Sequence, residues 1–402
     1  MNATQLILAQ GKEKSLLRRH PWVFSGAVKR IVGNPEEGDV VDILTSDGRW
    51  IASGHYQNDS IICKILSFDT SNIDSAFFQA LLMSAVRYRE RLGFFDNGQT
   101  NLFRLVNGEG DFLPGLICDW YNGVLVVQAH SVGMHRMIEQ STPLFVNLLK
   151  GYGLCSIFDK SSSTVPGGSV DGFLWGEEMP ERVVLEHGNQ FKINFFDGQK
   201  TGFFIDQREN RSLVGSLSAG RRVLNCFGYT GGFSLAALRG GAEYVETVDI
   251  SKKAIELCEQ NVRLNFGDSA SHKGVVADVL KYLDQYKPNT DGQQPINSQF
   301  DLIVLDPPAF AKNHRSLQQG LKGYRNINQK AMEMISSGGL LFTFSCSQAV
   351  SKDDFQTMAF TAAANAHRNV RVVRRLPHAM DHPVSIYHPE GDYLKGLLLQ
   401  VE

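Results

Sequence analysis

The chain holds no run of eighteen or more apolar residues, so no segment is long enough to cross a bilayer as a helix. Cysteine is sparse and unpatterned. Six thiols, at 63, 118, 155, 226, 258 and 346, never fall at C-x-x-C spacing, which sets aside a zinc site and a disulfide framework and leaves reduced thiols as the default. No metal is expected. A surplus of one charge sign is missing too: 40 Lys and Arg against 42 Asp and Glu give a net charge of −2, which argues against indiscriminate nucleic-acid binding. The start, Met1-Asn2-Ala3-Thr4-Gln5-Leu6, lacks the basic stretch, apolar core and small-residue cleavage site of a secretory signal. The expected location is the cytoplasm.

What is present is length enough for several domains, 402 residues, of which 43% are hydrophobic and 20% charged. Three regions follow one another. Residues 1–72 carry short strand-like runs such as Asp39-Val40-Val41-Asp42-Ile43-Leu44 and Ile61-Ile62-Cys63-Lys64-Ile65-Leu66, separated by Gly, Asn and Asp turn signals. Basic residues gather at the front, with Lys12, Lys14, Arg18, Arg19, Lys29 and Arg30 against Glu13. Arg18, Arg19 and Trp22 are candidate RNA contacts, because a cation pairs with phosphate and an aromatic ring stacks on a base. A solvated face explains the charges equally well, and Phe24 is expected to close the core. The region resembles the PUA domain, a small RNA-binding β-barrel attached to RNA-modifying enzymes.

Residues 73–185 read as a small α/β domain, with a helical pattern over Ala76–Leu92, strand-like runs at 103–107, 116–121 and 124–128, and a helix near 134–150. It contains no catalytic constellation. Arg104 and Asp159-Lys160-Ser161-Ser162-Ser163 are expected on a solvated surface. From 186 to 402 a hairpin gives way to alternating strands and helices, the pattern of a mainly parallel sheet with its ligand at the carboxyl ends of the strands.

In that third region Val223-Leu224-Asn225-Cys226-Phe227 runs into Gly228-Tyr229-Thr230-Gly231-Gly232-Phe233, a strand followed by a glycine-rich turn and a helix start. A dinucleotide fingerprint would place glycine at 228, 230 and 233, where this chain has Gly, Thr and Phe; NAD and FAD are disfavoured. Asp249 ends the next strand, where a carboxylate can accept both hydroxyls of a ribose. Asp278 ends another and could take an adenine amino group, although an Asp at such a position is also a common helix cap.

The pattern resembles class I S-adenosylmethionine-dependent methyltransferases, a Rossmann-like α/β fold. The resemblance implies that Phe227, Gly228 and Tyr229 surround the methionine part of S-adenosylmethionine. Asp249 with Ile250 would hold the ribose, and Asp278 with Val279 would meet the adenine. Gly202–Arg211 is similar to a segment that packs on the donor in RNA methyltransferases, which nominates Gln207 and Arg208. Arg208 and Arg211 could instead contact phosphate or belong to a surface helix.

Asp306-Pro307-Pro308-Ala309-Phe310 follows the strand-like Phe300–Leu305, and Cys346 follows Gly339–Ser345. Asp-Pro-Pro before an aromatic residue is familiar from enzymes that methylate exocyclic amines, and alone it favours N-methylation, with Asp306 lining the donor pocket. Cys346 points elsewhere. Carbon 5 of cytosine becomes nucleophilic only after a thiolate adds to carbon 6, and Asp306 could then bond N3 and the amino group. The other five cysteines are expected to be buried structural thiols. The three-region order, with Phe-Ser-Cys-Ser after Asp-Pro-Pro-Ala-Phe, closely resembles the bacterial 23S ribosomal RNA 5-methylcytosine methyltransferase family RlmI. That resemblance implies an attacking Cys346 and 23S ribosomal RNA as partner; the absence of a long apolar run leaves no membrane association expected. A homodimer is compatible with it. Lys312 and Arg315, in the loop after Asp306, are candidate RNA contacts or ordinary solvated charges. The base that removes the carbon 5 proton is unassigned. The competing readings are N-methylation of guanine in ribosomal RNA and a non-catalytic RNA-binding assembly factor.

Overall fold

The computed structural model describes residues 4–165, 170–268, 271–285 and 300–402, which form two compact units. The first comprises Met1–Glu186, Lys192–Ile205 and Met380–Gly391; the second comprises His187–Phe191, Asp206–Ala379 and Asp392–Glu402.

The first unit carries a six-stranded and a five-stranded sheet. Six strands run in the order Trp22–Phe24, Ile61–Ser67, Trp50–Tyr56, Val40–Leu44, Gln5–Leu8, Val28–Val32, over a core of Leu6, Leu8, Val23, Val41, Ile43 and Ile65. Within Trp22–Phe24 the side chains alternate, and Val23 takes the inward position at 2% exposure. Phe24 is therefore turned outward, 49% exposed, and does not close the core as expected. The second sheet orders Gly172–Gly176, Ser156–Asp159, Val124–Ala129, Leu116–Tyr121 and Leu102–Asn107. Helices Ser75–Arg91 and Val132–Leu149 share its core, each started by a side-chain cap, Asp74 and Ser131.

This unit buries charge, contrary to the solvated surface expected for Arg104 and the 159–163 tract. Arg104 pairs with Asp119 at 2.6 Å, and Asp119 is 0% exposed. Asp159, Lys160 and Ser161 are buried, with the Lys160 ammonium donating to the carbonyls of Phe195 and Phe196. Strand-end placement and hydrogen bonding hold these groups inside; only Ser162 and Ser163 of the tract are exposed.

The second unit is built on seven strands: β1 (Arg222–Cys226), β2 (Tyr244–Asp249), β3 (His272–Val276), β4 (Leu302–Leu305), β5 (Gly339–Ser345), β6 (Val370–Leu376) and β7 (Lys395–Val401). Their spatial order is β3-β2-β1-β4-β5-β7-β6, parallel except that β7 pairs antiparallel with both β5 and β6. The helices are α1 (Arg208–Ser216), α2 (Gly232–Arg239), α3 (Lys252–Phe266), α4 (Val279–Asp284), α5 (Leu317–Met334) and α6 (Lys352–Asn365). Alternate strand residues feed two cores. Leu224, Cys226, Ile303, Leu305 and Leu341 pack with α4, α5 and α6, whereas Val223, Val245, Leu302, Val304, Phe342 and Phe344 pack with α1 and α2. Both faces are thus covered, as the unbroken apolar strands require. Phe342 and Phe344 are fully buried, and each contributes roughly 2–3 kcal/mol of transfer free energy. The chain reverses its direction of sheet growth between β1 and β4, which opens a crevice at their carboxyl ends.

Candidate active site

Strand register decides what meets at that crevice. Cys226 of β1 lies opposite Val248 of β2 and Leu305 of β4, and Leu305 lies opposite Thr343 of β5. Phe227, Asp306 and Cys346, each just past its strand, consequently emerge at the same edge of the sheet.

The turn after β1 is fixed from below. Asn225 donates to Ser234 (2.8 Å), whose hydroxyl meets Thr247 (2.6 Å), and Thr247 meets the His272 ring at 2.8 Å. Burial holds His272 near neutral form, its pKa lowered to about 4. A Cβ at Gly228 would run into Thr247, and one at Gly231 into Cys258, so the turn lies closer to β2 and α3 than any other residue type allows. Phe227 and Tyr229 adopt φ of 58° and 45°, unusual for residues with side chains and sustained here by the surrounding bonds.

Asp249 takes the amide of Tyr229 on one carboxylate oxygen (3.0 Å) and that of Ser251 on the other (2.8 Å). Each oxygen keeps a second lone pair, which is what a ribose diol needs. Ile250 beside it is 72% exposed, an apolar side chain available to a purine ring or sugar. Asp278 caps α4 through the Lys281 amide at 3.0 Å, with Val279 buried behind it. Thr230 adds a buried hydroxyl without a hydrogen-bond partner in the glycine turn. A carboxylate with spare lone pairs, an apolar neighbour and a close-packed turn fit an adenosine-type donor.

The side that carries Asp306 is also pinned. Gln207 donates to Asp306 at 3.1 Å, and its own carbonyl accepts from Asn210 at 2.7 Å, so the amide group of Gln207 is oriented toward the carboxylate. Gln207 thus touches Asp306, and Arg208 is buried at 1% exposure with a bond to Glu209. Arg211 is buried as well, which excludes the surface-helix reading of both arginines. Pro307 is buried and Pro308 exposed, and Phe310 packs between Phe227 (6.4 Å) and Tyr324 (4.7 Å). Around the thiol, Ser345 accepts from the Ser347 amide, and Ser347 meets Tyr324 at 2.8 Å and the Ala311 amide at 3.3 Å. Cys346 itself is partly exposed.

Four of the remaining thiols differ from it, whereas Cys155, expected to be buried, is partly exposed as well, its Sγ donating to the Gly123 carbonyl at 3.1 Å. Cys63, Cys118, Cys226 and Cys258 are buried, and burial pushes their pKa values up, that of Cys258 to about 12. Lys312 and Arg315 are exposed in the loop that leads to α5. In the first unit, Arg18 and Arg19 are exposed, Arg19 pairing with Asp69 at 2.7 Å. Trp22 is half-buried, donating to Glu109 and packing 4.4 Å from His388. Among the described residues no group of three His, Cys, Asp or Glu side chains could hold a metal.

Two features escaped the sequence reading. The Gln207–Asp306 bond left no local signal, since 99 residues separate the partners. Lys395 did leave one, a single charge opening the otherwise apolar Lys395-Gly396-Leu397-Leu398-Leu399.

A family model described as S-adenosylmethionine-dependent methyltransferase matches residues 103–386, and one for a PUA-like domain matches residues 6–68. The protein is of that methyltransferase class, and its methyl donor is S-adenosylmethionine. It is 40% identical to "Ribosomal RNA large subunit methyltransferase I" of Tolumonas auensis over 99% of both chains, and 39% identical to the Escherichia coli O139:H28 protein of that name over 99% of this chain and 100% of the relative. The chain belongs to the ribosomal RNA large subunit methyltransferase I family. Its fold is shared by a protein from Streptococcus mutans described as a SAM-dependent methyltransferase (21% identity, TM-score 0.84, covering 99% of this chain and 100% of that one). A second methyltransferase, solved with S-adenosylhomocysteine, has TM-score 0.85 at 22% identity, with the same coverage.

Proposed function

We propose that the protein methylates carbon 5 of a cytosine in 23S ribosomal RNA through a covalent bond from Cys346 to carbon 6. The observation that carries this reading is the position of Cys346, a partly exposed thiol one residue past β5, on the strand beside the one that delivers Asp306. Four of the other five thiols are buried inside the fold.

The bound donor supplies an electrophilic methyl group on a sulfonium. Asp249 and the β1 turn hold its nucleoside end. Cys346, as thiolate, adds to carbon 6, and the ring electrons move to carbon 5, which attacks the methyl group. Asp306, oriented by Gln207, acts in its protonated form: it donates its proton to N3, which neutralises the negative charge that thiolate addition places on the ring, accepts from the amino group, and takes the proton back when the thiolate leaves. Loss of the carbon 5 proton and elimination of the thiolate then restore the aromatic ring. The target base must leave its stack, at a cost of a few kcal/mol in a duplex and less in a loop. Exposed Arg18, Arg19, Phe24, Lys312 and Arg315 are suited to RNA phosphates and bases, and the work on ribosomal RNA assigns the protein to the cytoplasm. Asp-Pro-Pro supports a second reading, N-methylation of guanine.

Cys346→Ala should lower methyl transfer by at least about 10³-fold with donor affinity unchanged by calorimetry. Full activity in that variant sinks the covalent mechanism. Mass spectrometry of the nucleoside should give 5-methylcytidine; an N-methylated guanosine establishes the second reading instead.

A further inference from the structure

Lys395 opens β7 and lies opposite Ser345, the residue before Cys346, in the antiparallel register with β5. It is only 5% exposed. Its Nζ donates to two neutral carbonyls, Ser347 O at 2.5 Å and Tyr393 O at 2.7 Å. The first belongs to the residue directly after the thiol, so the ammonium is fastened to the backbone that carries Cys346. Two of its three N–H groups are used by these carbonyls, which leaves one for an anion.

The charges facing it are few. Cys346 and Asp392 favour its protonated form, and Lys352, itself paired with Asp392, opposes it. Tyr324 approaches the thiol from α5 and is a neutral hydroxyl, its ionisation pushed up by burial. Burial draws the Lys395 pKa down to about 8, still above neutrality, so the side chain is mostly cationic at pH 7. A buried ammonium without a bonded carboxylate is costly, and no structural bond here requires a charge. A neighbouring thiolate would offset that cost.

We propose that Lys395 is a positioning residue whose ammonium holds Cys346 as a thiolate. The inference rests on the reading of Cys346 as nucleophile. The thiol proton leaves to solvent, the electron pair stays on Sγ, and Lys395 keeps its own proton; no bond to Nζ forms or breaks. The thiolate then stands ready for carbon 6 when the base arrives.

The test follows carbamidomethylation of Cys346 by iodoacetamide against pH, read by mass on the peptide that contains it, in the full-length protein. In the native protein the midpoint should fall below the roughly 8.5 of an ordinary thiol. Lys395→Met should raise it by at least about one pH unit, with about tenfold slower alkylation at pH 7. Lys395→Gln, which keeps a donor for the two carbonyls but no charge, should do the same, and it decides the matter if the Met variant loses donor binding. Lys395→Arg should retain a low midpoint. An unchanged midpoint in the Met or Gln variant, with S-adenosylmethionine affinity intact, overturns the proposal. The measurement needs neither RNA nor turnover. Methyl transfer that survives in Cys346→Ala would remove the covalent mechanism, while the alkylation midpoints would still decide whether the ion pair exists.

Discussion

Both units bury charged side chains, and they use them differently. In the first, Arg89 is completely buried and makes four hydrogen bonds: it donates to both oxygens of Asp111 at 2.5 and 2.8 Å, to Arg104 O and to Asp381 O, each at 2.7 Å. Arg104 lies in the same way on Asp119, which also accepts from Thr201. These ions tie strands, a helix and the 380–391 segment together, and none is offered to a ligand. At the carboxyl edge of the sheet in the second unit, Asp306 accepts from the neutral Gln207 amide and Lys395 donates to two carbonyls. A buried charge paired with its opposite is scaffold; a buried ammonium fastened by carbonyls retains its field for something else.

That contrast is open to direct attack. The largest effect should come from Arg89→Met, which strands Asp111 without its cation and should cost about 3–5 kcal/mol of unfolding free energy. All four tryptophans, Trp22, Trp50, Trp120 and Trp175, belong to the first unit, so urea unfolding followed by tryptophan fluorescence reads it selectively. Donor binding by calorimetry should persist in that variant; its loss would break the division of roles.

Acid should expose a different weakness in the second unit. The folded-state pKa of His272, about 4, lies below the ordinary 6.5, so the unfolded chain takes a proton that the native ring refuses. Its contribution is fully present above about pH 6.5 and is lost as pH falls toward 4, up to about 3 kcal/mol. His272→Gln should flatten that part of a stability profile followed by far-ultraviolet circular dichroism, and an unaltered slope would show that the ring is not held neutral.

The smallest effect sharpens the comparison most. Gln207→Ala removes a neutral partner of Asp306 and should lower kcat/KM by about 10- to 100-fold, or 1.4–2.7 kcal/mol, with donor Kd and unfolding free energy changed far less. A variant that loses stability in proportion to activity would place Asp306 with the scaffold ions.

Much of the second unit was legible because its signals are local. The glycine turn, the carboxylate at the end of the next strand and the apolar runs before Asp306 and Cys346 each occupy fewer than ten consecutive residues, and an alternating order of elements predicts a parallel sheet. The helix expected over 76–92 is Ser75–Arg91, and the one near 134–150 is Val132–Leu149. Phe24 was misread because a three-residue strand gives no alternation from which to choose its inner face. Arg104 and Lys160 were misread for another reason. Charge in a sequence predicts exposure unless a partner is at hand, and those partners lie 15 and 35 residues away.

The sequence by itself determined the class of fold and nominated the donor end of the site together with Asp306 and Cys346 as candidates, because strand periodicity and turn composition are written in neighbouring residues. Only the tertiary structure decided the rest. Register brought Leu305 beside Thr343 and Ser345 beside Lys395, and burial removed water from the lysine and from four of the thiols. Register and desolvation depend on residues far apart in the chain, and through them the Cys346 thiol acquired Lys395 as a neighbour.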